Sequence, residues 1–304
     1  MSVSISKETH FELYRNYIQC HDFLKTINDK NYSYPEEIKI FHVYTELRNE
    51  KELECIKSYF ATQNLEKTRL YIWSDYSIED LECLKPFKKY ITFKIYNPIE
   101  EAKGTVLEKQ IEKLLAKDGK HYLQSDLLRI LACHKYGGIW IDMDIILLRD
   151  FKPILDQEYM YQWGSEIEYE KEGACATVLS CFKNSEFSNY LINEIQNMPI
   201  IYGSTIWGKD MFAKVYSKFK FNIFPSPFFN SEWLISITDE KLSNDILEMW
   251  FEKECPDELL FLDSFAWHWH NSSNKHKQIN KNSKFDKLKK LNNLKLKNKG
   301  FDII

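Results

Sequence analysis

Apolar positions along this chain switch repeatedly between a two-residue and a three-to-four-residue period. After Pro35, Ile38 to Tyr44 (IKIFHVY) reads as a first strand, and Glu50 to Thr62 carries Leu53, Ile56 and Phe60 at helical spacing. Leu70 to Trp73 predicts a second strand ended by Ser74-Asp75, Ile78 to Phe87 a helix, Ile91 to Tyr96 a third strand, and Leu107 to Leu115 another helix. Upstream, the segment FELYRNYIQCHDFLKTI predicts a helix packed on the core. Strands alternating with helices in this way predict an α/β fold, a central sheet with flanking helices.

The pattern is clearest from Ser125 to Asp150. Leu127, Leu128, Ile130, Leu131 and Ala132 fit a helix that Gly137-Gly138 stops, and Ile139, Trp140, Ile141 and then Ile145 to Leu148 fit a buried strand. Asp142 and Asp144 fall inside that apolar run. Residues two apart on an extended chain share a side, so the two carboxylates are expected to converge at the strand end. Buried carboxylates need a cation, a proton or a basic partner. A hard divalent ion, Mn²⁺ or Mg²⁺, that also holds substrate phosphates would supply one.

The second half continues with a strand at Tyr159 to Trp163, a charged loop GSEIEYEKEG, a strand at Ala174 to Phe182 and a helix at Glu186 to Gln196. Ser204 is the expected N-cap of a helix running to Lys218. Leu259 to Asn271 reads as the last strand, ending in alternating His268 and His270. Two histidines on one face also suit a zinc site, but no nearby His or Cys completes one. From Lys275 to Lys299 there are ten lysines, with Phe285, Leu288, Leu291 and Leu294 every third residue. Such a basic amphipathic helix suits either an anionic membrane surface or docking on the main domain.

The run SD-x-x-R followed by GGIWIDMD resembles the sugar-nucleotide-binding segment of D-x-D glycosyltransferases of the GT-A fold. It is most similar to the group of yeast α-mannosyltransferase-type enzymes and bacterial capsule and lipopolysaccharide transferases, and more distantly to the clostridial glucosylating toxins. The resemblance implies a GT-A type, Rossmann-like sheet over residues 1–274. A helical segment at 1–34 would be followed by a nucleotide-sugar-binding half at 38–150 and an acceptor half at 151–274, with a basic tail at 275–304. It also implies a UDP- or GDP-sugar donor, a glycan or lipid-linked acceptor and retention of anomeric configuration. Asp142 and Asp144 would hold the metal and serve catalysis, with Asp126 and Arg129 near sugar hydroxyls or phosphate.

Loops beyond the carboxyl ends of strands are where open α/β sheets bind ligands. Phe41, His42, Tyr44, Trp73 and Asp75 are therefore candidates to surround the base and ribose. For His42 a satisfied strand histidine, and for Trp73 a core position, are competing readings. In the charged loop, Glu166 is the glutamate nearest the strand end and the candidate to reach an acceptor hydroxyl. Glu168, Glu170 and Glu172 read as a solvated face. In the resembling families a helix start often written T-G-P faces the substrates; here G-S-T puts Ser204 in that place. Their C-terminal H-x-H folds back over the diphosphate, which makes His270 a metal candidate and Ser272 a donor contact, although Asn274 replaces the expected Trp.

At 304 residues with 44% hydrophobic and 15% aromatic content, the chain has the material for a large core. A net charge of −4 gives no general case for nucleic-acid binding. Seven scattered cysteines without a C-x-x-C pair fit reduced thiols, and there is neither a leader-like apolar run nor a stretch of the roughly 20 apolar residues that crosses a bilayer. A cytoplasmic setting, peripheral to a membrane if the tail binds one, is the expectation. Rival functions are an effector-like protein glycosyltransferase and a catalytically silent sugar-nucleotide or glycan-binding module; the intact aspartates favour activity over the latter. Glycosidase chemistry fits poorly, because aspartates two apart on one strand do not flank a bond at roughly 5–9 Å.

Overall fold

A computed structural model describes residues 3, 17–27, 32–117, 122–163, 174–232 and 240–302. After helix α1 (Tyr17–Thr26) come β1 (Lys39–Tyr44), α2 (Glu50–Thr62), β2 (Thr68–Ser74), β3 (Ile91–Ile95) and α3 (Tyr122–Tyr136). Next are β4 (Gly138–Ile141), β5 (Ile145–Leu147), β6 (Tyr159–Gln162), β7 (Ala174–Cys181), α4 (Glu186–Asn197) and α5 (Lys209–Lys218). The described chain finishes with β8 (Asn222–Phe224), α6 (Glu240–Met249), β9 (Ala266–His268) and α7 (Lys284–Asn298). The expected α/β class holds: seven strands in the order β3-β2-β1-β4-β7-β6-β8 form one sheet, and β5 and β9 pair in a second.

Strands β1 to β4 run parallel, whereas β7 is antiparallel to both β4 and β6. From β1 the order runs outward through β2 to β3, and β4 lies on the other side. The carboxyl ends of β1 and β4 thus flank the place where strand order reverses, which is where open α/β sheets bind ligands. Core side chains fill both faces, with Phe41, Ile72, Ile139 and Ile141 in one cluster and Trp73, Leu128, Leu131 and Trp140 in another.

The helix-to-strand turn before β4 depends on its two glycines. Gly137 closes α3 at φ +68°, and at Gly138 (φ +106°) a β-carbon would meet Ile40 O at 2.1 Å. Any side chain there would force β1 and β4 apart.

Several expected elements are shorter than their hydrophobic pattern. The helix expected at 78–87 is a 3₁₀ segment, Glu82–Tyr90 with Pro86 inside it; the one expected at 107–115 is confined to Ile111–Leu114. The last strand narrows from the expected 259–271 to three residues, since Phe261 and His270 both take left-handed backbone. The strand expected through 139–148 is two strands in two sheets, broken at 142–144. In the tail, Phe285, Leu288 and Leu296 are buried while Leu294 is 57% exposed, so the docked stripe follows a helical period rather than every third residue. Lys284 forms a buried ion pair with Glu232, and Lys299 donates to Phe60 O and Gln63 O at the end of α2. The apolar side of α7 is thus spent on this chain's own core.

Candidate active site

Asp142 and Asp144 meet at the crossing between the two sheets. They converge through a turn, not through the alternation of one extended strand: the chain leaves β4 at Asp142, bends with Ile145 N–H donating to Asp142 O at 3.2 Å, and enters β5. Trp140, two residues before Asp142 on β4, donates its indole N–H to Asp142 Oδ1 at 2.6 Å. From α3, an Arg129 guanidinium nitrogen lies 2.9 and 3.1 Å from the two Asp142 oxygens. Arg129 also approaches Asp126 Oδ1 at 3.4 Å, one helical turn away, and stacks over the Trp140 ring. Asp126 in turn faces Gly208 at the start of α5, with Oδ2 3.6 Å from where a β-carbon would stand. Burial raises the Asp142 carboxyl pKa, with Arg129 pulling it down and Asp144 pushing it up.

Asp144 turns toward the second sheet. Its Oδ2 accepts the Asn271 backbone N–H at 2.8 Å and meets His268 Nε2 at 3.1 Å. Burial alone would raise its pKa, but the His268 ring and the Asn271 amide hold it well below the ordinary carboxylate range. His268 Nδ1 lies 2.9 Å from the buried Tyr161 hydroxyl. Because the ionised Asp144 only accepts, His268 Nε2 carries the proton between them.

These donors fit a hard divalent cation. Asp144 Oδ1 has no hydrogen-bond partner among the described residues, and the Asp142 and Asp144 side chains keep 26% and 15% exposure. No group of three His, Cys, Asp or Glu suited to a metal occurs among the described residues. An ion there would complete its shell with water and ligand phosphate oxygens, as Mg²⁺ commonly does.

The remaining candidates divide by burial. Tyr44 and Asp75, at the carboxyl ends of β1 and β2, are joined by a 2.7 Å hydrogen bond and stay partly exposed, with the Lys117 ammonium 4.0 Å from Asp75. His42 and Trp73 are instead sealed inside, both 0% exposed. His42 donates to Gly137 O at 2.8 Å and accepts the Trp73 indole N–H at 3.2 Å, and burial pushes its pKa down to about 4. Both therefore hold β1, β2 and the glycine turn together and leave no edge for a donor.

Ser204 does not cap α5, which starts at Lys209 after Gly208; its hydroxyl donates to Ile201 O within a turn. His270, the histidine expected at the metal, has its Nε2 3.1 Å from Asn230 Oδ1 and its ring stacked on His268 and Trp250. His268 is the one that touches Asp144. Ser272 is exposed, one residue beyond Asn271. Glu166 lies outside the described residues, as do Glu168, Glu170 and Glu172. Sequence reasoning missed Trp140, legible from its two-residue offset to Asp142. It also missed His268, hidden because the left-handed turn at His270 ends the strand alternation.

A groove of about 960 Å³ lined in part by Gln63, Lys85, Tyr90, Lys299 and Phe301 lies at the amino ends of β2 and β3, away from all these residues.

Residues 49–161, spanning Asp126 through Asp144, match the family described as a glycosyltransferase sugar-binding region containing a DXD motif. The match covers 113 of the 304 residues, the segment that carries the Asp142–Asp144 turn, and makes that segment similar to the sugar-binding region of DXD glycosyltransferases. No curated protein matches it. Among solved structures, the apo-form glycosyltransferase GlyE of Streptococcus pneumoniae TIGR4 superposes with a TM-score of 0.51 at 8% identity, over 88% of this chain and 65% of GlyE. A second GlyE structure gives 0.50 at 10% identity over 87% and 64%. The chain thus spans just under two thirds of GlyE, and the likeness is one of fold. The PaToxG glycosyltransferase aligns over 94% of this chain and 97% of its own at 14% identity and a TM-score of 0.46.

Proposed function

We propose that this chain is a metal-dependent glycosyltransferase that moves a sugar from a nucleotide-diphosphate donor, a UDP- or GDP-sugar, to a glycan or lipid-linked acceptor with retention of configuration. The observation that carries the reading is the Asp142–Asp144 turn, whose two carboxylates stay partly open where the two sheets meet, beside the point at which strand order reverses.

In this reading Asp144, through Oδ1, and Asp142 hold Mn²⁺ or Mg²⁺. When bound, the ion supplies Lewis-acid charge to the departing diphosphate. Arg129 fixes the Asp142 carboxylate and, with Asp126, presents a charged fork and acceptor oxygens to sugar hydroxyls. Tyr44 and Asp75 form the wall for base and ribose. Asn271 and His268 hold Asp144 in place, and Ser272 follows at the donor side. Glu166 is the proposed acceptor-side carboxylate. The Cys55 thiol beside Asp142 is buried, donates to Asp142 O at 3.7 Å and is held protonated by burial, which supports attack from the face that the leaving group departs over a covalent intermediate on that sulfur.

The test is a panel of UDP- and GDP-sugars assayed for hydrolysis and for thermal stabilisation, with and without Mn²⁺. One donor is expected to be hydrolysed only with the ion, its anomeric product retained. Equal hydrolysis in excess EDTA would overturn the metal role, and an inverted product would overturn retention.

A further inference from the structure

We propose that Lys51, on the first turn of α2, is a positioning residue of the transfer site, holding segment 269–277 so that its backbone locks Asp144. The inference rests on the metal-dependent reading above.

Lys51 is a buried lysine with a full set of partners. Only 6% exposed, it places its ammonium 2.9 Å from Asn274 O, 3.2 Å from Lys275 O and 2.6 Å from Lys277 O. An ammonium has three protons, and here it meets three carbonyls. The same ammonium lies over aromatic rings, 4.5 Å from the Phe251 centroid and 5.7 Å from that of Trp269. A methionine would pack there equally well without the cost of burying charge. What the ammonium adds is the anchoring of those carbonyls.

The carbonyls close a short helical turn, Asn271–Asn274, whose other end faces the site. At that end Asn271 N–H donates to Asp144 Oδ2 at 2.8 Å, and just before it Trp269 N–H donates to Asp144 O at 3.0 Å. Asn274 stiffens the span, its side-chain amide donating to Trp269 O and His270 O at 2.8 and 3.3 Å. A cation at the carbonyl end and a carboxylate at the amide end both follow the peptide dipoles. Lys51 also stands two residues after Asn49, whose side chain caps α2 directly beyond the β1 loop. One ammonium thereby ties the loop at the donor end of the first sheet to the segment that fixes Asp144 from the second.

The experiment uses the full chain and its Lys51→Met and Lys51→Gln variants. Mn²⁺ affinity is measured by calorimetry in the presence of UDP and, separately, GDP, and melting temperature is measured without ligand. Lys51→Met is expected to weaken Mn²⁺ binding about tenfold or more, the usual cost of losing support behind a metal ligand. Lys51→Gln, which keeps amide donors, should recover part of that loss and is read in the same way if Lys51→Met fails to fold. A purely structural lysine would lower the melting temperature and leave the Mn²⁺ affinity of the folded variants at the wild-type value, and that result overturns the positioning role alone. A wild-type protein that binds no Mn²⁺ with either nucleotide overturns the metal reading as well.

Discussion

The two walls of the candidate site are built on different scales of the chain. Asp142 is held by Arg129 and Trp140, both within one helix–turn–strand unit, and its ion pair spans 13 residues. Asp144 is held by His268 and Asn271, 124 and 127 residues downstream. The near wall is rigid because α3, the glycine turn and β4 are one supersecondary unit with few chain conformations to exclude. The far wall depends on a stack of remote contacts: His268 N–H to Phe229 O, His270 to Asn230, and the Glu232–Lys284 pair behind them. Metal affinity and fold stability should therefore separate along this boundary.

The largest effect is expected from the far wall's anchor. Lys284 and Glu232 are 0% and 2% exposed, and burial raises the Glu232 pKa even with Lys284 beside it. Lys284→Met leaves that carboxyl without its partner and should cost about 3–5 kcal/mol in urea unfolding, whereas pairing it with Glu232→Leu should return most of the loss. Equal instability of single and double variants would mean that the helix, not the ion pair, is what matters.

Next comes Asp144 itself. Asp144→Asn should cut metal-dependent donor hydrolysis by about 10²–10³-fold with an unchanged fold by circular dichroism, comparable to losing one strong electrostatic stabiliser. Near wild-type turnover in the variant would break the asymmetry between the walls.

A third prediction separates scaffold from site inside the near half. The His42 pKa falls from 6.5 to about 4 in the folded chain, so the unfolded chain binds the proton more tightly. Its share of stability is intact above pH 6.5 and is lost as pH falls toward 4, amounting to about 3 kcal/mol. His42→Gln, with one donor and one acceptor for Gly137 O and the Trp73 indole, should flatten that part of the pH–stability curve and leave donor KM unchanged. A raised donor KM would return His42 to the nucleotide pocket.

The smallest effect is expected at Arg129. Arg129→Lys keeps charge but loses the planar fork, and should raise donor KM about tenfold while acceptor KM stays constant. Equal changes in both would place Arg129 in the scaffold.

The same division explains what the sequence made legible. The parallel strands β1 to β3 and helix α3 follow from local period, because their partners are close along the chain, whereas the Arg129–Asp142 ion pair was not read although its residues are only 13 apart. His268 and Asn271 were not legible as partners of Asp144. Choosing between His268 and His270 required knowing that His270 adopts left-handed backbone, and pairing β5 with β9 is a long-range event that no local period announces. His42 and Trp73 were misplaced for a related reason. Carboxyl-end position on a parallel strand marks the neighbourhood of a site, but the glycine turn passes over them and supplies the carbonyl that satisfies His42.

The distance between Asp144 and Asn271 along the chain also has a temporal meaning. During synthesis, at roughly 5–20 residues per second, Asp142 meets its partners almost as soon as they leave the ribosome, while Asp144 waits for a further 127 residues. Until then the nascent chain has one carboxylate already neutralised by arginine and another without the amide and imidazole that later hold it. The partners of Asp142 are therefore made well before those of Asp144, and the two sides of the turn can be completed only in the order of translation.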